Sequence, residues 1–261
     1  MKRIVVKVGT STLTHASGAL NLRSMEHLVR VLSDLKNMGH SIILVTSGAI
    51  GVGVQKLRLP GRPTELRLKQ AAAAVGQCEL MHLYDKFFSE YSVTVGQILL
   101  TRDDVEQEAI RENLLRTLHA IIELGVIPVV NENDSVSHEE IECRDHIFGD
   151  NDTLSAVVSK LCGADLLVLL SDIDGLYDSD PRENPEAKLI PQVHTLDDSL
   201  RASASGAGSS RGVGGMITKL QAAEICMEAG IDMIITNGKN PACLYDIAQG
   251  APVGTRFYGA K

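Results

Sequence analysis

Residues 4–11 have the sequence IVVKVGTS, an apolar run rich in β-branched residues that is followed by a glycine. Such a run predicts a buried strand, and the glycine after it predicts a tight turn. Similar apolar runs recur at residues 42–45, 93–100, 126–130, 166–170 and 233–236. Strands that are apolar along their whole length are typical of a parallel sheet covered on both faces.

Segments with apolar residues at three- to four-residue spacing lie between these runs and predict amphipathic helices. They cover residues 25–35, 66–88, 109–124, 154–161 and 220–229. Glycine follows three of them just before the next strand, at Gly39, Gly125 and Gly230, where it is expected to end the helix. This alternation predicts an α/β fold, with a mainly parallel central sheet sandwiched between helices.

Two stretches interrupt the alternation. Residues 135–148 are polar and charged and predict a hairpin or loop, and residues 178–210 are rich in Pro, Asp and Ser. No long linker separates the two halves of the chain. We therefore expect a single domain over residues 1–261, with an N-terminal lobe of about residues 1–163 and a C-terminal lobe of about residues 164–261.

Composition narrows the class of protein. Aromatic residues make up 3% and Trp is absent, so the core is expected to be aliphatic. The formal net charge of −8 argues against a general nucleic-acid surface, though not against a local basic site for phosphates. The five cysteines are scattered and form no Cys-x-x-Cys, which predicts neither a zinc site nor a disulfide framework and favours the cytoplasm. No segment has the length and apolarity of a membrane span or a signal peptide.

Glycine-rich or polar segments follow several predicted strands, at the end where α/β sheets bind ligands. They cover residues 7–11, 46–53, 131–134 and 171–181. Each has a structural alternative, namely a glycine turn, packing of a helix on a strand, or a polar turn. Short motifs produce many false positives, so none of these segments alone decides between ligand binding and structure. Residues 171–181 fit a nucleotide base or ribose site better than a calcium loop, because their glycine comes too early.

Residues 212–219, GVGGMITK, open the last long predicted helix. They do not form a Walker A loop, because Thr218 precedes Lys219 instead of following it. Backbone N–H groups of Gly214 and Gly215 at a helix N-terminus nevertheless favour an anion, and Lys219 adds a positive charge. Together with Lys7, this segment predicts a phosphate chain held from both sides, and therefore phosphoryl transfer.

Residues 148–155 place two acids around an amide, as Asp150, Asn151 and Asp152. We expect Asp152 or Asn151 to cap the helix that begins near Thr153. Capping does not explain both acids. In a phosphate site, clustered acids organise lysines, hold Mg²⁺ indirectly or bind an amine.

Taken together, these segments resemble the amino acid kinase family, in order and over nearly the whole chain. The resemblance is carried by VKVGTS at 6–11, VTSGAI at 45–50, GQILLT at 96–101, NEND at 131–134, FGDND at 148–152, SDIDGLY at 171–177 and GGMITK at 214–219. The NEND and GDND motifs are specific to the members that phosphorylate glutamate. The resemblance implies ATP-dependent phosphorylation of the side-chain carboxylate of L-glutamate, which yields L-glutamyl 5-phosphate and ADP in the first step of proline biosynthesis.

The resemblance also implies roles for individual residues. Lys7 and Lys219 would contact the transferred phosphoryl group, and Asp152 would hold both lysines. The N-terminal lobe would bind glutamate through Ser47, Gly48, Asn131, Asp134, Asp150 and Asn151. The C-terminal lobe would bind ATP, with contacts from Lys7, Gly9, Ser171, Asp172, Val213, Gly214, Gly215, Met216, Ile217, Thr218 and Lys219. The acceptor carboxylate is ionised at neutral pH, so no general base is needed, and Mg²⁺ would be carried by ATP without a protein metal site.

Further implications concern partners and regulation. The family suggests a homodimer or homotetramer and inhibition by proline, with no nucleic-acid or membrane partner. Two departures from the family pattern are visible. Ile147 stands where members commonly carry a basic residue, and Arg144 and His146 are the candidates to supply that charge. The chain ends at Lys261 without the PUA domain of many glutamate-specific members. We expect either a naturally short form or a shortened chain.

Two other functions remain open at this stage. A related kinase would act on acetylglutamate, carbamate, aspartate or a nucleoside monophosphate, and a sensor on the same fold would bind an amino acid or nucleotide without catalysis. The acids at 131–134 and 150–152 favour an acceptor with a free α-amino group. The presence of both Lys7 and Lys219 argues against the sensor.

Overall fold

All six apolar runs predicted as strands form strands of one sheet in the computed structural model, which describes residues 1–15, 18–136, 150–181, 183–197, 200–201 and 213–260. The strands are β1 (Arg3–Val8), β2 (Ser41–Val45), β3 (Val95–Leu100), β4 (Ile127–Glu132), β5 (Leu166–Ser171), β6 (Gln192–Val193), β7 (Asp232–Asn237) and β8 (Thr255–Phe257). The helices are α1 (Thr10–Leu13), α2 (Leu22–Asn37), α3 (Ala49–Lys56), α4 (Leu66–Ser89), α5 (Arg102–Glu106), α6 (Glu108–Glu123), α7 (Asn151–Cys162), α8 (Val213–Glu228) and α9 (Cys243–Gln249).

The strands lie in the order β3-β4-β2-β1-β5-β7-β8-β6. All neighbouring strands run parallel except β7 and β8, which are antiparallel. The predicted α/β fold with a mainly parallel sheet is confirmed. Strands from the first part of the chain form one half of the sheet and those after residue 164 form the other half. The two halves join where β1 pairs with β5, and this continuity favours the single domain that we proposed from the sequence.

Each face of the sheet carries its own aliphatic core, because side chains alternate along a strand. Ile4, Val6 and Val8 of β1 belong to the cluster that packs under α2 and α4. Val5 belongs to the cluster on the other face, with residues of α7 and α8. Lys7 therefore emerges on the face of α7 and α8, close to the carboxyl end of the central strand β1.

Three predicted helix ends have the expected backbone geometry. Gly39, Gly125 and Gly230 all have positive φ, at 95°, 72° and 73°, in the left-handed region that glycine adopts without strain. Short elements were not predicted: α1, α3, α5 and α9, and the strands β6 and β8. They are too short for a clear hydrophobic period, and β8 depends on pairing with the distant strand β7.

The glycine-rich segment 46–53 has a structural role that its sequence left open. Residues from Ala49 onward form α3, which crosses α4 in direct backbone contact. A Cβ atom on Gly53 would lie 1.8 Å from the carbonyl oxygen of Ala72, and one on Gly76 would lie 1.8 Å from that of Ala49. These two glycines allow the two helices to touch, so the packing here is of helix on helix and not of a helix on a strand as the structural alternative had it.

The two stretches that interrupt the alternation fall partly outside the described residues, mainly at 137–149 and 202–212. The predicted hairpin or loop at 135–148 and the basic position at Ile147 belong to the first of these. Between the gaps, Tyr177 pairs with Leu189 in an isolated bridge, and β6 adds to the edge of the sheet. Of the helices in the described ranges, none has both the length and the apolarity that a membrane crossing requires.

Replacement of Gly53 by alanine should destabilise the protein strongly, because its Cβ would collide with the α4 backbone. We expect a loss of about 3 kcal/mol or more in the free energy of unfolding, measured by urea denaturation. Gly51→Ala is the matched control on the same helix, since a Cβ there meets nothing within 4 Å. It should leave stability unchanged or raise it by up to about 1 kcal/mol. Equal losses for both variants would contradict this account of the helix crossing.

Candidate active site

The carboxylate of Asp152 lies between two lysine ammonium groups. Lys7 Nζ is 2.7 Å from Asp152 Oδ1, and Lys219 Nζ is 2.9 Å from Asp152 Oδ2. Asp152 is 1% exposed, and the lysine side chains are 10% and 12% exposed. The structure thus brings together three residues that are far apart in the sequence.

Three elements position this cluster. Lys7 is the second-last residue of β1, and Asp152 lies in the first turn of α7. Lys219 lies in the second turn of α8, where Nζ also donates to the carbonyl oxygen of Gly215 at 3.0 Å. Thr218 adds a hydrogen bond from its hydroxyl to Asp152 Oδ2 at 3.3 Å. An ammonium group has three donors, so Lys219 retains one that has no partner among the described residues.

The charges of the cluster decide the protonation state of Asp152. Burial alone would raise the pKa of this carboxyl group, but the positive charges of Lys7 and Lys219 and their hydrogen bonds outweigh burial. The pKa of Asp152 therefore lies below its usual value, and the group is ionised at neutral pH. The cluster carries one negative and two positive charges, which leaves one net positive charge for an anion.

Asp150, not Asp152 or Asn151, caps α7. The helix begins at Asn151, and Asp150 Oδ1 accepts from the backbone N–H of Asp152 at 2.9 Å. The predicted capping residue was therefore wrong by one or two positions, because the sequence shows three polar residues in a row that could each cap. The side chains of Asn151 and Asp152 are thereby available for other contacts.

Amide side chains form a continuous hydrogen-bonded chain beside the lysine cluster. Asn151 Nδ2 donates to the carbonyl oxygen of Thr46 at 2.8 Å and to Asn131 Oδ1 at 3.1 Å. Asn131 Nδ2 in turn donates to Gln77 Oε1 at 2.9 Å. Asn131 and Asn151, both predicted to bind substrate, thus hold each other. Gln77 was missed in the sequence, although a polar residue at the apolar spacing of α4 was a signal that could have revealed it.

Ser47 and Gly48 lie at the end of β2, next to the turn after β1. The hydroxyl of Ser47 donates to the carbonyl oxygen of Val8 at 2.9 Å. Gly48 has φ at 94°, and a Cβ there would lie 3.3 Å from Thr10 Cγ2. A Cβ on Gly9 would lie 3.7 Å from Lys7 Nζ. These residues bring the backbone close to the lysine cluster.

Asp134 lines a cavity of about 400 Å³ between α4 and the ends of β3 and β4. The cavity is also lined by Gln77, Asn133 and Ser135, with small and apolar residues of α3 and α4 around them. Burial raises the pKa of Asp134, and the positive charge of Arg62 opposes this shift only in part. A cationic ligand would stabilise the ionised form of a carboxylate in this environment.

The residues predicted to bind ATP divide into two groups. Ser171 and Asp172 lie at the end of β5, where Gly238 N–H donates to the Ser171 carbonyl at 2.7 Å. Residues 213–219 form the first turns of α8, and the side chain of Val213 lies outside the described part of the chain. Met216 packs on the apolar core, whereas Ile217 is exposed. The carbonyl oxygen of Gly215 accepts a hydrogen bond from Lys219 Nζ of the lysine cluster.

Residues 2–237 match the sequence profile of the amino acid kinase family. The chain belongs to this family. It is 55% identical over 260 residues to a glutamate 5-kinase of Clostridium perfringens, covering 100% of this chain and 96% of that one. It is 54% identical over 262 residues to a glutamate 5-kinase of Listeria innocua, covering 100% and 94%.

Solved structures of two other kinases share this architecture at low sequence identity. Carbamate kinase from Giardia lamblia superposes with a TM-score of 0.70 at 14% identity, covering 99% of each chain. UMP kinase from Ureaplasma parvum gives a TM-score of 0.67 at 13% identity, covering 98% of each chain. These likenesses concern the fold alone.

The Asp152→Asn variant should lose stability, because it leaves two buried ammonium groups facing each other without the carboxylate. Since the folded-state pKa of Asp152 is depressed, its stabilisation is present above about pH 4 and disappears as the pH falls below that. We expect a loss of about 3 kcal/mol at pH 7 that shrinks towards pH 3, measured by chemical denaturation. Asp85→Asn on the exposed face of α4 is the control and should change stability by less than about 0.5 kcal/mol. A pH-independent loss for Asp152→Asn would contradict the charge argument.

Proposed function

We propose that this protein transfers the terminal phosphoryl group of ATP to the side-chain carboxylate of L-glutamate. The observation that carries the proposal is the pair of lysines that Asp152 holds at the end of the central strand, with an amide chain that leads from the adjacent Asn151 to the cavity lined by Asp134. The glutamate 5-kinases that share more than half of its residues support the same acceptor.

The chemistry needs charge and alignment more than acid–base catalysis. The attacking carboxylate of glutamate is already ionised at neutral pH, with a reference pKa of about 4.3. Negative charge must then be neutralised while the phosphoryl group passes between two anions in line. Lys7 and Lys219 supply two positive charges, and the Asp152 carboxylate holds both ammonium groups in position before the reaction begins. Asp152 acts as the spacer between the lysines, because each of its oxygens is already in contact with a lysine.

The acceptor side is proposed to recognise a free amino acid. Asp134 is a half-buried carboxylate in the cavity and would pair with the α-ammonium group of glutamate. The amide chain of Asn131 and Asn151 runs from the cavity residue Gln77 towards the lysine cluster. Asn151 would hold Asn131 in place, and the second N–H of Asn131 Nδ2 would donate to a carboxylate group of glutamate. This arrangement disfavours acetylglutamate, whose nitrogen is acylated and uncharged.

The nucleotide side is proposed to comprise Ser171, Asp172 and the start of α8, with Gly9 near the phosphates. Among the described residues, no three His, Cys, Asp or Glu side chains lie close enough together to form a metal site. Mg²⁺ is assigned in this proposal to the phosphates of ATP and to water. When bound, Mg²⁺ neutralises phosphate charge.

Regulation by proline is a further part of this proposal. Proline carries an ammonium and a carboxylate group, so the charged residue Asp134 that suits glutamate suits proline as well. It would compete with glutamate. Assembly into homodimers or homotetramers and a cytoplasmic location likewise belong to the proposal.

An acceptor screen tests the proposal directly. With ATP and Mg²⁺, we expect L-glutamate to give an acyl phosphate that hydroxylamine traps as a hydroxamate. Acetylglutamate, carbamate and UMP should be phosphorylated at least about 100-fold more slowly, since they bring no ammonium group to Asp134. Aspartate brings that group, but its side chain is one methylene shorter, so its carboxylate is misplaced and it should also react more slowly. Turnover with one of these acceptors and none with glutamate would overturn the proposed substrate.

Removal of one lysine tests the proposed chemistry. Lys219→Ala should lower kcat by about 10³-fold, because it removes a charge that acts mainly in the transition state. Lys86→Ala, on the exposed surface of α4, is the matched control and should retain full activity. Circular dichroism would verify that both variants fold. Undiminished turnover in folded Lys219→Ala would refute the role of this lysine.

A further inference from the structure

Gln77 is a buried amide in an otherwise apolar stripe of α4. It is 7% exposed, and its neighbours on the stripe are Ala73, Leu80 and Tyr84. It lines the cavity that also contains Asp134. A glutamine in such a place needs hydrogen-bond partners, because an unpaired buried amide is costly.

The direction of the amide chain is set by a backbone group. The Thr46 carbonyl can only accept, so the atom of Asn151 that lies 2.8 Å from it must be the donor Nδ2. The same nitrogen lies 3.1 Å from the Asn131 side chain, which must therefore present Oδ1. Asn131 then turns Nδ2 towards Gln77, and the facing atom of Gln77 must be the acceptor Oε1. Gln77 thus supplies the acceptor that keeps Asn131 in this orientation.

This arrangement leaves the other end of Gln77 without a partner. Nε2 is buried and makes no hydrogen bond within the described residues. An unsatisfied buried donor destabilises a protein, and an apolar side chain of the same length would avoid that cost. Stability alone therefore does not explain a glutamine at this position, whereas orientation of Asn131 does.

The backbone that carries Gln77 is held rigidly. The adjacent residue Gly76 lies against α3, where a Cβ would come within 1.8 Å of the carbonyl oxygen of Ala49. Helix α4 cannot move closer to α3 at this turn, and the two helices are in contact along it. The backbone of Gln77 is thereby held against α3, while its Oε1 accepts from Asn131 of β4.

We infer that Gln77 is a positioning residue for the acceptor substrate. Its Oε1 fixes the Asn131 amide, which in turn presents Oδ1 to Asn151 and keeps both amide groups oriented for the bound amino acid. Gln77 acts through Asn131 and takes no part in the chemistry. This inference rests on the proposed function, since it assigns Asn131 and Asn151 to the glutamate side of the site.

A double-mutant cycle tests the inference. Gln77→Met, which has the same length but no amide, should raise the KM and the calorimetric Kd for L-glutamate about five- to tenfold. The KM for ATP should stay within about twofold, because the amide chain lies on the acceptor side. In an Asn131→Ala background, Gln77→Met should change the Kd for glutamate by less than about twofold, since the residue through which it acts is gone.

Controls separate this role from simple packing. Leu83→Met alters a partly buried α4 side chain that does not line the cavity, and it should leave the glutamate KM nearly unchanged. Independent effects of Gln77→Met and Asn131→Ala that multiply in the double variant would overturn the inference, and so would an equal rise in the KM for ATP. A wild-type protein that neither binds nor phosphorylates glutamate would instead remove the proposed function on which the inference rests.

Discussion

The rest of the site depends on one buried carboxylate that keeps two ammonium groups apart and in place. Without Asp152, Lys7 and Lys219 would repel each other in a region of low exposure. With it, they form a cluster with one net positive charge. A buried ion pair of this kind contributes little net stability, because desolvation offsets much of the attraction. Its value lies in geometry, since it prepares a positive site for an anion before the anion arrives.

The fold explains why these three residues meet. Lys7 stands on a central strand that joins the two halves of the sheet, and alternation along β1 directs it to the face covered by α7 and α8. Asp152 lies at the start of α7 and Lys219 near the start of α8, so both helix N-termini point towards the carboxyl end of the sheet. The cluster therefore joins the two halves of the sheet, which we propose to bind the acceptor and the nucleotide.

A second constraint acts on the acceptor side. The carbonyl group of Thr46 sets the direction of three successive amides, and the close crossing of α3 and α4 holds the last of them. Glycine is required at that crossing because no side chain fits between the two backbones. The glycines of residues 46–53 therefore serve the site partly through helix packing and not only through contact with a ligand.

The sequence by itself determined the alternation of strands and helices, the glycines that end α2, α6 and α8, and the identity of the polar residues after the strands. These are local properties, because hydrophobic period and glycine conformation depend on near neighbours. Only the tertiary structure decided that Asp150 caps α7, that Gly53 and Gly76 serve a helix crossing, and that Gln77 ends the amide chain. The cap is a local contact, but three successive polar residues could each have made it. The helix crossing and the end of the amide chain depend on contacts between segments that are separate in the sequence, and no local pattern encodes which buried groups will face each other.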